Sequence, residues 1–238
     1  MSYDYDRLAT AVIEWAVSHG HSDRIVSLDL ETKVLAADKF LTNETVLSIA
    51  FARHIGKKVD SKVLTLQEES AEAEDQLFFS ANQLIENVRP LVVVGYNITG
   101  YDVPLLQMKL RSLPKPYWAF KDVVERAFIF DLKHPLKFEL ANFDGSRIKI
   151  RGLEEILNHE RFSHLPLVKA KKILNGANKE EKGIKIYELW RKHKAEFEKY
   201  AIGDVMDVLA LFEELYLKNR IVSQIRTQEI RRTLKATG

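Results

Sequence analysis

The chain has 238 residues, 46% of them hydrophobic, enough to bury one sizeable core, and a single domain is the simplest count. No run of about eighteen apolar residues is present, and acids rather than a basic stretch precede the first apolar residues, which argues against a membrane span and a secretory signal. The absence of cysteine excludes disulfides and thiolate metal sites and suits a reducing cytoplasm, the expected location; the seven histidines show no zinc spacing, and His159 and His164 are expected at the surface.

In chain order, Leu8, Val12, Trp15 and Ala16 fall on one face of a helix starting after Asp4 or Asp6, and this extension is expected to dock by that face. Ile25-Val26-Ser27-Leu28 reads as a buried strand running into Asp29-Leu30-Glu31. Along a strand, residues i and i+2 share a face, so Asp29 and Glu31 either hold one cation between them or stand as solvated carboxylates at a strand end. An Asp-x-Glu triplet alone is weak, since chance supplies roughly one per chain of this size. Thr45 to Ala52 and Val63 to Leu66 read as further strands, followed by a helix from about Glu72 to Asn87.

Leu91 to Val94 is an unbroken apolar run, the pattern of a strand buried on both faces. A turn follows in Gly95-Tyr96-Asn97-Ile98-Thr99-Gly100-Tyr101-Asp102-Val103-Pro104, where Gly95 and Gly100 are expected to supply unusual backbone angles and Pro104 to mark a helix start. Asp102 then lies at that start as an N-cap, a cation ligand, or both. Farther on, Lys137 to Phe143, Asp144-Gly145 and Arg147 to Arg151 read as a hairpin with an Asp-Gly turn, its second strand presenting Arg147, Lys149 and Arg151 on one face. Lys169, Lys171, Lys172, Lys179, Lys182 and Lys185 surround Asn175-Gly176 in an expected loop.

Apolar residues at 197, 201, 205, 208, 209 and 212 recur at helical spacing. Tyr200 and Asp204, at i and i+4, project together beside that stripe, either as a functional pair or as a partly buried tyrosine with a surface aspartate. Asp207 is out of register with Tyr200 and is expected at the surface or as a contact to the N-terminal domain. The formal net charge is only +2, but residues 218–238 carry +5 and the rest −3. An acidic pocket with a basic tail suits a protein that holds a polyanion by its backbone, and such a tail serves equally as a solubilising end.

Together the acidic segments resemble the motifs of the DEDD exonuclease superfamily, and most closely the proofreading 3′–5′ exonuclease domain of B-family DNA polymerases. Asp29-Leu30-Glu31-Thr32 is similar to the first motif, the Gly-Tyr-Asn…Tyr-Asp-x-Pro string from Gly95 to the second, and Tyr200-x-x-x-Asp204 to the third. Ile129-Phe130-Asp131-Leu132, Leu153 to Leu157 and Tyr187-Glu188-Leu189-Trp190 resemble the connecting segments, and the likeness runs from about residue 24 to about residue 217. Lys199 stands where the histidine branch has its His, so Tyr200 puts the chain in the DEDDy branch. Tyr101 replaces the more usual Phe, a departure expected to change little because the rings fill similar space.

The resemblance implies an RNase H-like α/β fold, a mixed sheet flanked by helices, with residues 1–23 as a helical extension, 24–217 as the exonuclease domain and 218–238 as a basic tail. The short stretch after residue 217 has no room for palm, fingers and thumb, so a stand-alone exonuclease domain is expected. The implied cofactors are two Mg²⁺ or Mn²⁺ ions, one held by Asp29, Glu31 and Asp204, the other by Asp29 and more loosely Asp102. The implied mechanism has the two ions clamp nucleophile and leaving oxygen ~3.5–4 Å apart, with Tyr200 orienting the attacking water. Asn97 and Tyr101 are the implied contacts to the terminal nucleotide, although Tyr101 serves equally as a core residue. The implied substrate is single-stranded DNA at its 3′ end; an RNA-trimming exonuclease of the same superfamily and a silent nucleic-acid-binding module are the alternatives.

Overall fold

The computed structural model describes residues 2–33, 44–145, 152–169 and 179–218. In chain order the elements are α1 (Ser2–Ser18), β1 (Ile25–Lys33), β2 (Thr45–Ile55), β3 (Lys58–Thr65), α2 (Ala71–Val88), β4 (Val92–Gly95), α3 (Asp102–Ser112), α4 (Trp118–Arg126), β5 (Phe128–Asp131), α5 (Lys133–Asp144), α6 (Leu153–Leu157), α7 (Lys179–Lys192) and α8 (Lys194–Phe212). The sheet order is β3-β2-β1-β4-β5, with β1, β2 and β3 antiparallel and β4 and β5 parallel to β1. This is the mixed, helix-flanked sheet of an RNase H-like α/β fold, with β1 at its centre.

The side-chain alternation of β1 divides the core in two. Val26, Leu28 and Leu30 face a layer built from α2, α3 and α4, where Leu77, Phe78, Leu105, Leu106 and Phe120 are buried. On the other face, Ile25 joins Val92, Val94 and Phe130 against α1, α5, α6 and the end of α8. The four residues of β4 are all buried, and Val93 lies in the first layer while Val92 and Val94 lie in the second. That is the expected strand covered on both faces.

The register of β1 on β2 pairs Ser27 with Ala52, Asp29 with Ala50 and Glu31 with Ser48. Directly opposed residues share a face. The small Ala50 and Ala52 let α8 approach, packing against Ala201, Val205 and Leu209. All six apolar positions expected on the α8 stripe are buried. Phe197 and Phe212 alone, both 0% exposed, each contribute about 1.5–3 kcal/mol by burial.

Several local expectations change. Helix α1 begins at Ser2 and buries Ala9, Ile13 and Ala16, leaving Leu8 and Trp15 more than 40% exposed at 55% and 46%, so the docking face is rotated from the one expected. Strand β3 starts at Lys58, five residues before the expected Val63, because polar residues at Asp60, Ser61 and Lys62 mask a strand paired to β2 along its length. Residues 137–144 are helical within α5, not the first arm of a hairpin: Leu136, Leu140 and Ala141 are buried at helical spacing, and Gly145 at φ 61° is its C-cap. Asp-Gly supplies a positive φ to a helix end as readily as to a hairpin. The second arm of that expected hairpin, with Arg147, Lys149 and Arg151, lies outside the described residues, as do 219–238 of the basic tail and 170–178 of the expected lysine loop. Lys182 and Lys185, expected in the loop, belong to α7. His159 is partly buried, its Nδ1 accepting from the Arg161 N–H at 3.1 Å.

Candidate metal centre

Asp29 and Glu31 leave β1 on the face covered by α8, and Asp204 comes from α8 itself. One carboxylate oxygen from each of the three lies within 4.8 Å of the others. Glu31 and Asp204 are 7% and 1% exposed, whereas Asp29 is half-buried and opens onto a cleft of about 690 Å³. Like charges this close repel, and hard oxygen donors in such a cluster match a divalent cation. The donor set therefore fits a hard divalent cation and offers no soft ligand.

Tyr200, one turn before Asp204, is 2% exposed and lines the same cleft. Burial first, and then the charges of Asp204, Glu31 and Asp29, push its phenol well above the ordinary range, so it stays protonated and acts as a donor. The reading of Tyr200 and Asp204 as a partly buried tyrosine beside a surface aspartate is thereby overturned. Asp207 is not at the surface either. It is 1% exposed and accepts the N–H groups of Val168 at 2.6 Å and Lys169 at 2.8 Å, holding Lys169 at a left-handed φ of 54°.

Asp102 lines the cleft but stands beside the trio, not within it. Strand β4 pairs with β1 only as far as Ser27, opposite Val94, so Leu30 lies beyond that ladder and donates its N–H to Asp102 Oδ1 at 3.0 Å. Asp102 is the first residue of α3, the N-cap position being Tyr101, and its Oδ1 braces β1.

The turn between β4 and α3 owes its shape to crowding. Neither Gly95 nor Gly100 has a positive φ; the left-handed residue is Asn97, at φ 63°. A Cβ on Gly95 would lie 2.6 Å from Ile98 Cβ, and one on Gly100 would lie 2.8 Å from Asn97 Oδ1, so both glycines make space. Asp131, at the end of β5, organises this turn. Its Oδ1 accepts the N–H groups of Asn97 (2.8 Å) and Lys133 (3.0 Å), and its Oδ2 accepts the N–H (3.2 Å) and hydroxyl (2.6 Å) of Thr99. Tyr101 lines the cleft, and its hydroxyl donates to buried Glu44 and lies 2.6 Å from Thr32 Oγ1. Burial and the Glu44 carboxylate push that phenol upward too. The hydroxyl that a Phe would lack thus ties the start of α3 to β1 and to the residue before β2.

Sequence reasoning missed the roles of Asp131, Lys133 and Glu44. Asp131 ends an apolar strand just as Asp29 follows one, a signal that was available; Lys133 and Glu44 carried none. The cleft is also lined by Lys133 and by Glu154, Glu155, Asn158, Lys182 and Ile186 of the α6 and α7 region. Lys182 Nζ is given to Glu154 at 3.2 Å.

No protein-family model matches the chain, and no curated protein matches it. Among solved structures it is similar to the family B DNA polymerase from the hyperthermophilic archaeon Pyrobaculum calidifontis, at 20% identity and a TM-score of 0.57. The fold is shared with part of that polymerase. The similarity covers 80% of this chain and 24% of the polymerase chain, so this chain spans about a quarter of the length of the protein it matches. No helix among the described residues is long and apolar enough to cross a membrane.

Proposed function

We propose that the protein is a metal-dependent 3′–5′ exonuclease of the DEDDy type that acts on single-stranded DNA ends. The observation that carries this reading is the convergence of Asp29, Glu31 and Asp204 from two elements far apart in sequence, with the protonated Tyr200 beside them. The motif order and the fold likeness to a family B DNA polymerase support it.

Asp29, Glu31 and Asp204 would hold a divalent cation, with Asp102 at the edge for a second. Bound there, such ions supply an activated water and neutralise charge on the leaving oxygen. Tyr200 contributes a hydroxyl donor that fixes the direction of the attacking water, and its buried ring keeps that donor from wandering. Asp102 holds β1 at Leu30, between the two β1 carboxylates. Asn97 and Tyr101, which line the cleft, form the wall on which the terminal nucleotide rests.

The test uses single-stranded DNA and RNA oligonucleotides of matched sequence, labelled at either end, with Mg²⁺ or Mn²⁺ and with EDTA. Stepwise loss from the 3′ end of DNA, abolished by chelator, is expected; shortening from the 5′ end or full activity in EDTA overturns the assignment. Faster loss of RNA overturns the DNA preference alone. Independently of turnover, Mn²⁺ raises the melting temperature of the native protein, since a ligand at a hundred times its Kd adds about 2.7 kcal/mol. Asp204→Asn loses that shift.

A further inference from the structure

The cleft wall carries a lysine, Lys133, whose role the reading above does not use. Lys133 begins α5, half-buried, with its N–H held by Asp131 and its Nζ donating to Asn97 Oδ1 at 2.7 Å. Among the described residues the other lysine on the cleft wall, Lys182, gives its ammonium to the carboxylate of Glu154, whereas Lys133 gives its ammonium to a neutral amide. Its positive charge is therefore not given to a carboxylate, within a cleft whose lining also includes Asp29, Glu31, Asp102, Glu154 and Glu155.

The bond also decides what the two side chains can recognise. An ammonium has three donors and no acceptor, so the Asn97 atom that meets it must be the oxygen, and the Asn97 NH₂ is turned the other way. What the pair turns toward a ligand is the remaining ammonium hydrogens and the Asn97 NH₂, with one full positive charge. Asp131 sets both backbones from a single carboxylate oxygen, and Gly100 leaves room for the Asn97 amide, so the pair is placed before any ligand arrives. Pre-placed donors of this kind suit an anionic oxygen.

We propose that Lys133, aligned through Asn97, grips a non-bridging oxygen of an internucleotide phosphate other than the one being hydrolysed, so that the strand is held by its backbone while the carboxylate side of the cleft serves the reacting phosphate. This rests on the exonuclease reading for the identity of the polyanion. Lys133 is then a substrate-binding residue, and Asn97 and Asp131 position it.

The experiment combines Lys133→Met and Lys133→Arg with single-stranded DNA substrates in which one linkage at a time near the 3′ end is a neutral methylphosphonate. With the native protein, one non-scissile position is expected at which neutralisation lowers kcat/KM roughly tenfold, the smaller of the effects expected for a hydrogen bond to a charged group. Lys133→Met loses that factor on the all-phosphate strand and is indifferent to the methylphosphonate at that position; Lys133→Arg recovers most of it. Binding of a labelled oligonucleotide measured by anisotropy in EDTA shows a log K against log salt slope shallower by about 0.7 for Lys133→Met, the value for one lost contact to a single strand. An unchanged kcat/KM and salt slope in Lys133→Met, or a loss that persists equally with the neutral linkage, overturns the proposal. Failure of the native protein to cleave overturns the exonuclease reading alone, because the salt slope still decides whether Lys133 meets a phosphate.

Discussion

Replacing Asp131 should separate the two ends of its carboxylate. The side chain is 6% exposed and accepts three backbone N–H groups and one hydroxyl: Asn97 and Lys133 at Oδ1, Thr99 N–H and hydroxyl at Oδ2. Hydrogen bonds to a charged acceptor are each worth about 1.5–3 kcal/mol, but bonds sharing one acceptor are not additive, and the Thr99 hydroxyl can rotate to another partner. Asp131→Ala strands the three N–H groups at once and should cost about 3–5 kcal/mol, at the upper end for a single substitution. Asp131→Asn keeps an oxygen for Asn97 and Lys133 and turns its NH₂ toward the Thr99 N–H, a donor against a donor, which should cost about 1–3 kcal/mol. For a domain of this size the corresponding drops in melting temperature are about 6–20 °C and about 2–12 °C. Urea unfolding followed by circular dichroism gives both free energies. An alanine variant within 1 kcal/mol of the native protein, or an asparagine variant as damaged as the alanine one, would refute the division of labour between the two oxygens.

Three further outcomes follow from the same geometry. Gly95→Ala places a Cβ 2.6 Å from Ile98 Cβ, two atoms close to the backbone that cannot rotate apart, and should lower stability by about 1–3 kcal/mol in a urea titration; a neutral result would mean the turn relaxes. Tyr200→Phe keeps the buried ring and removes only the donor, so turnover should fall by less than the ~10²–10⁴ of a full general base while the Mn²⁺ thermal shift survives, and normal turnover or lost metal binding would exclude an orienting role. Burial raises the Asp75 carboxyl, but hydrogen bonds from Lys115 and Tyr117 outweigh it and hold the group below its ordinary 3.8, so the stabilisation is present above that pH and disappears as pH falls through the lower folded value. The stability difference between the native protein and Tyr117→Phe should accordingly shrink on acidification below about pH 4, and a difference constant from pH 7 to pH 2 would count against the carboxylate as the partner.

Local periodicity was enough to place the clustered carboxylates and Tyr200 on their elements. The two-residue repeat of a strand put Asp29 and Glu31 on one face of β1, and the i, i+4 spacing of a helix put Tyr200 beside Asp204, because both depend only on the backbone of the element concerned. The unbroken apolar run of β4 announced burial on both sides in the same way. Which faces meet is a long-range matter: α8 reaches the β1 carboxylates because Ala50 and Ala52, brought alongside β1 by strand pairing, leave space for it. The β1–β4 ladder ends at Ser27, leaving the Leu30 N–H to Asp102, and the β4–β5 register sets Asp131 opposite Gly95, where one carboxylate can organise the following turn. An Asp-Gly step allows a hairpin or a helix end on local grounds alone, and only the burial of Leu136 and Leu140 against β4 and β5 decided for α5. Residue spacing thus fixed which side chains share a face of one element, while the tertiary structure decided which of those faces meet, since that depends on contacts between segments that no local repeat encodes.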